Sequence, residues 1–111
     1  MITKRQVENK ILRLQIKMID DLEEDGNIRA EHFGRSCITI GHPVKMVQVE
    51  TVYNTETNDF DFIVTVMKDT KKEIITTLAG EKMVYQTTDV IRTFIELYNI
   101  DTKYTGYLKG V

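Results

Sequence analysis

The sequence has no tryptophan, one proline and one cysteine in 111 residues. A lone thiol, Cys37, can form no internal disulfide, which fits a reducing compartment. No apolar stretch approaches the roughly 18 residues of a membrane span, and the chain opens without the apolar segment of a secretory signal. The expected setting is therefore the cytoplasm, with no membrane partner. Glycine-rich phosphate loops are missing, as are a Gly-x-Ser-x-Gly elbow, a His-Glu-x-x-His helix and paired Cys-x-x-Cys motifs. With no such signature, the chain is expected to be non-enzymatic and to need no cofactor. The net charge of -2 weighs against broad nucleic-acid binding, whose usual footprint is a basic domain.

What is present is the composition of an ordinary soluble globular protein, 41% hydrophobic and 29% charged. Separate cores need on the order of 50 to 100 residues each, so residues 1–111 form one domain. Its richness in Ile, Lys, Asn and Thr suggests an AT-rich source, such as a phage or mobile element.

The chain is organised around a β-hairpin over residues 45–69. A four-residue loop at 55–58 sets Tyr53 opposite Phe60, Thr51 opposite Phe62, Val49 opposite Val64 and Val47 opposite Val66. Directly opposed residues share a face, so these eight form one nearly apolar surface, face A, which must be core.

Before the hairpin, Thr3 and Gln6 have capping-box spacing, with Ile2 and Val7 at staple positions, and predict a helix from residue 3 to about 25. Val7, Ile11, Leu14, Met18 and Leu22 form one apolar stripe. Leu12, Ile16 and Ile19 form a second, which a lone surface helix does not need. Cys37, Ile38 and Ile40 suggest a short strand ending in the turn Gly41-His42-Pro43.

After the hairpin, a reversal over 69–72 sets Lys68 opposite Glu73, with a third arm over 73–78. A further short strand is expected over 83–86. A second helix follows, capped by Thr87 or Thr88 and placing Val90, Ile91, Phe94, Ile95 and Tyr98 on the sheet. The predicted class is α+β: an N-terminal helix, an antiparallel meander of about four to five strands and a C-terminal helix packed on the sheet. The tail from about residue 102 to 111 is expected to be flexible, to add an edge strand, or to order on a partner.

Face B, the other side of the sheet, carries Met46, Val52, Ile63, Met67, Ile74 and Leu78 among polar residues. At roughly 1.5 to 3 kcal/mol each, these are poor side chains to leave wet. Either the helices cover opposite faces, or both lie on face A and another chain uses the surplus. The second arrangement is favoured. It makes Leu12, Ile16, Ile19, Met46, Ile63, Met67 and Ile74 the candidate partner-binding residues.

Other groupings are weaker. Lys10, Arg13 and Lys17 align as a basic stripe and, with Arg35, are the candidates for phosphate contact. An ordinary solvated face with a Lys17–Asp21 pair explains the stripe as well. His32, Cys37 and His42 lie close in sequence but match no zinc or cysteine-protease spacing. Asp59, Asp61 and Glu50 could group as oxygen ligands, although no calcium loop is present and no metal is expected.

The functional expectation is a small protein-interaction module that self-associates, as a dimer or higher oligomer, and inhibits or regulates a partner macromolecule. A virion ring or connector subunit is one alternative. A binder of nucleic acid or nucleotide is another.

Overall fold

The computed structural model describes residues 2–104. Its elements are α1 (Lys4–Glu23), β1 (Glu31–Phe33), β2 (Cys37–His42), β3 (Lys45–Asn54), β4 (Asp59–Lys68), β5 (Lys71–Ala79), a 3-10 turn (Glu81–Met83) and α2 (Val84–Tyr98). The five strands follow chain order across one antiparallel sheet. The fold is α+β, a helix, a meander and a second helix.

The central hairpin has the register that its apolar pairs predict, Val47 to Val66 through Tyr53 to Phe60. Its loop is held by Asn54, whose Oδ1 accepts from Glu56 N at 2.9 Å and whose Nδ2 donates to Asp61 at 3.0 Å. Face A is core: Val47, Val49, Thr51, Phe60, Phe62, Val64 and Val66 are buried.

Both helices lie on face A. The core cluster joins Leu14, Met18 and Leu22 of α1, Val84, Ile91 and Ile95 of α2, and the inward residues of β2, β3 and β4. The reciprocal cap of α1 is formed, with Gln6 N donating to Thr3 Oγ1 at 3.1 Å and Thr3 N to Gln6 Oε1 at 2.9 Å. Lys10 pairs with Glu81 at 2.8 Å, while Asp21 accepts from Thr88 and Arg92. Matching positions ascend both helices together, so α1 and α2 run side by side in one direction. The expected Lys17–Asp21 pair is replaced by this bond between helices.

The reversal after β4 departs from expectation. Asp69 and Thr70 alone form the turn, at φ of 51° and 68°. Positive φ at both central residues is the geometry of a two-residue hairpin turn. It sets Lys68 opposite Lys71 and Val66 opposite Glu73, and a bulge at Val64/Thr65 shifts the remainder. Leu78 consequently faces Phe62 and moves from face B to face A.

No strand forms over 83–86. Gly80, at φ of 98°, turns the chain directly into the 3-10 segment and α2, so Thr87 and Thr88 lie inside the helix. Their hydroxyls bond back to the carbonyls of Met83 and Tyr85, each at 2.7 Å. Asn99, in the left-handed region, ends α2. Conversely, Glu31–Phe33 adds an edge strand that the polar sequence there did not suggest.

Phe62 is fully buried at the centre of this core. Phe62→Ala should cost about 3 to 5 kcal/mol, whereas Val44→Ala at an exposed turn should stay within about 0.5 kcal/mol; urea unfolding of the two variants checks the ordering.

Candidate functional site

Leu12 and Ile16 stand 45% and 43% exposed on the flank of α1 that turns away from α2. One helical turn apart, they form a short apolar strip above the β1–β2 edge. Beside them, Ile11, Leu12, His32, Arg35 and Ser36 help to line a concavity of about 380 Å³. Ile19, the third member of the predicted stripe, instead packs partly into the core.

On the sheet, Ile74 is 65% exposed on edge strand β5, and Ile63 and Met67 are half-buried on face B. Met46 is only 1% exposed, which removes it from any contact surface. Among the described residues no helix lies on face B, yet its middle row, Thr39, Gln48 and Thr65, is buried as well. The accessible apolar surface thus lies at the margins of the sheet and helices rather than across face B.

The predicted cations do not act together. Lys10 is held by Glu81, Arg35 lies 3.6 Å from Glu8, and Lys17 shares a concavity with Asp20, Asp21 and Glu24. Arg13 is exposed. A different cationic group is brought together by the register: Lys45 faces Lys68, and Lys68 faces Lys71. Adjacent strands lie about 4.8 Å apart, and among the described residues none of these lysines has an ion-pair partner. The β3–β4 register already opposes Lys45 to Lys68, and the true turn at Asp69-Thr70 adds Lys71, which the expected Lys68–Glu73 register hides.

His32 and Cys37 point to opposite faces, because His32 pairs with Ile38 and Cys37 with Phe33. His32 Nδ1 lies 3.2 Å from Oε1 of the buried Gln15, while His42 packs on Tyr104 at 4.8 Å between ring centroids. Burial, followed by the Glu50 carboxylate, pushes the Cys37 thiol above its ordinary pKa. This is the reverse of what a thiolate nucleophile needs. Gln15, whose Nε2 finds no partner among the described residues, is a polar intrusion into the helix–sheet contact that helical spacing alone does not single out.

Asp59 and Asp61 serve the chain itself. Asp59 Oδ1 accepts from Glu81 N at 3.0 Å and Phe60 N at 2.7 Å, and Asp61 Oδ1 accepts from Gly80 N at 3.1 Å. Gly80, at the N-cap position, has no side chain to give, so two carboxylates from β4 cap the start of the helical segment instead. The N–H groups of Glu81 and Phe60 hold the Asp59 pKa below its ordinary value.

No family model, curated protein or solved structure matches the chain.

The depressed Asp59 pKa has a definite sign. Its stabilising contribution is fully present above the unfolded aspartate value of about 3.9 and is lost as pH falls through the lower folded value. Asp59→Ala, which removes the acceptor, should therefore reduce stability at pH 7 by about 1 kcal/mol, the scale of a lost helix cap. The deficit should shrink below about pH 4, which denaturant titrations of both proteins at several pH values would show.

Proposed function

We propose that the protein is a non-enzymatic interaction module that self-associates and regulates a partner macromolecule by occluding part of its surface. The observation that carries this is the exposed strip Leu12–Ile16 on a helix whose opposite side already fills the core. Both residues have their apolar side chains in water, and neither is needed to close the fold. Exposed apolar clusters on otherwise well-packed domains commonly mark contact surfaces. Ile74 and the half-buried Ile63 and Met67 extend the same character to the sheet. The sites that could have argued for an enzyme weigh less: the Cys37 thiol is raised, and Asp59 and Asp61 are occupied with backbone N–H groups.

Light scattering at high micromolar concentration is the test, with an oligomer as the expected result. Leu12→Asp and Ile16→Asp should each keep the fold and weaken partner capture at least tenfold. A strict monomer unaffected by either substitution would remove the basis for the reading.

A second reading has its own support in the Lys45–Lys68–Lys71 row. Directly opposed like charges are unfavourable across strands, and a phosphate-bearing ligand would relieve them. On this reading a single-stranded oligonucleotide binds with an affinity that falls steeply with salt, and Lys68→Gln with Lys71→Gln flattens that dependence. Fluorescence anisotropy at two salt concentrations separates this from no binding at all.

A further inference from the structure

We infer that two copies of the chain join through their β5 edges, in one antiparallel register, to make a continuous sheet of twice five strands. This rests on the self-association proposed above and assigns its interface to β5, leaving the Leu12–Ile16 strip on the far side of the sheet to the partner.

The sheet has two edges of different kinds. β1 has three residues, and such short edge strands are poor templates for pairing. β5 has nine, contains no proline, and presents Ile74, Ile75, Thr76, Thr77 and Leu78 in sequence. β5 pairs with β4 alone, and no other backbone bond among the described residues reaches it. Every second residue of such a strand turns both its N–H and its C=O outward. The chemistry that satisfies this row is another extended strand.

The face pattern of β5 restricts which strand that can be. Opposed residues must share a face. The bulge opposite Val64/Thr65 puts Glu73, Ile75, Thr76 and Leu78 on face A, and Lys72, Ile74, Thr77 and Ala79 on face B. Only one two-fold register spanning the strand matches face to face throughout. It sets Lys72 opposite Ala79, Glu73 opposite Leu78, Ile74 opposite Thr77 and Ile75 opposite Thr76, with the bulge at the symmetry axis. No like charges meet. A shorter register centred on residue 73 also preserves the faces, but it opposes Glu73 to its own copy, which is unfavourable.

The neighbouring helix flank is unfinished in the same place. α1 contacts β2 and β3, whereas α2 contacts β3 and β4, so the side of α2 away from α1 looks toward β5. Leu97 on this side is 68% exposed, and Val90 and Phe94 are half-buried. Sheet pairing would bring the two copies of this flank together on face A and add apolar contact to the backbone bonds.

The test uses the full chain in a Cys37→Ala background. Ile74→Cys and Thr77→Cys are made separately, then oxidised alone and as a mixture. Directly opposed positions should yield a disulfide dimer mainly in the mixture. In the native background, Ile74→Lys and Thr77→Lys, both at exposed positions, should raise the dimer dissociation constant at least tenfold with unchanged circular dichroism. A dimer that gives no mixed disulfide, resists both lysines and dissociates in Leu12→Asp would overturn this interface while leaving self-association standing. A wild-type monomer at several hundred micromolar would overturn both.

Discussion

The apolar ladder between β3 and β4 is the constraint on which the other elements depend. Four directly opposed pairs point to one side of the sheet, and all their members but Tyr53 are buried. A one-residue slip would send the whole set to the other face, so the register is held by the full burial energy of the ladder. Once face A exists, it recruits both helices. Leu14, Met18 and Leu22 meet it from one side, Ile91 and Ile95 from the other, and the Asp21–Arg92 bond fixes the helices against each other.

Putting both helices on one face has consequences for the outer surfaces. A three-layer arrangement would have covered face B and given every apolar stripe an internal use. With two layers, α1 closes the β2–β3 half and α2 the β3–β4 half, and each helix keeps an outward flank. The residues left over, Leu12 and Ile16 on α1 and Leu97 on α2, are those flanks. Their exposure follows from the layering.

How much of this was legible depends on how many residues voted for each feature. The β3–β4 register could be read because eight side chains and a loop of common length agreed. The capping box of α1 could be read because its two partners are local. The β4–β5 register could not, since the attractive Lys68–Glu73 pairing was outweighed by a turn with positive φ at Asp69 and Thr70, neither of them glycine. A surface charge pair contributes only about 0 to 1 kcal/mol, too little to set a register. The start of α2 was equally hidden. It depends on Asp59 and Asp61, some twenty residues earlier in the chain, reaching the N–H groups of Gly80 and Glu81. Those carboxylates resemble a metal cluster in sequence and become caps only when the strands are paired.

The candidate site was legible in the same uneven way. Leu12 and Ile16 stand out because helical spacing marks them as surplus, and the structure leaves them in water. Met46 and Leu78 were misassigned for different reasons: alternation along a strand names a face without telling whether that face is open, and a bulge reverses the alternation itself. The bulge in β5 therefore matters twice. It carries Leu78 into the core, and it leaves a strand whose two halves present their faces in mirror order about Ile75 and Thr76. A strand of that kind discriminates against most antiparallel partners, because a regular alternating strand fits only one half of it. A second copy of the same strand, related by a two-fold axis through the bulge, fits both.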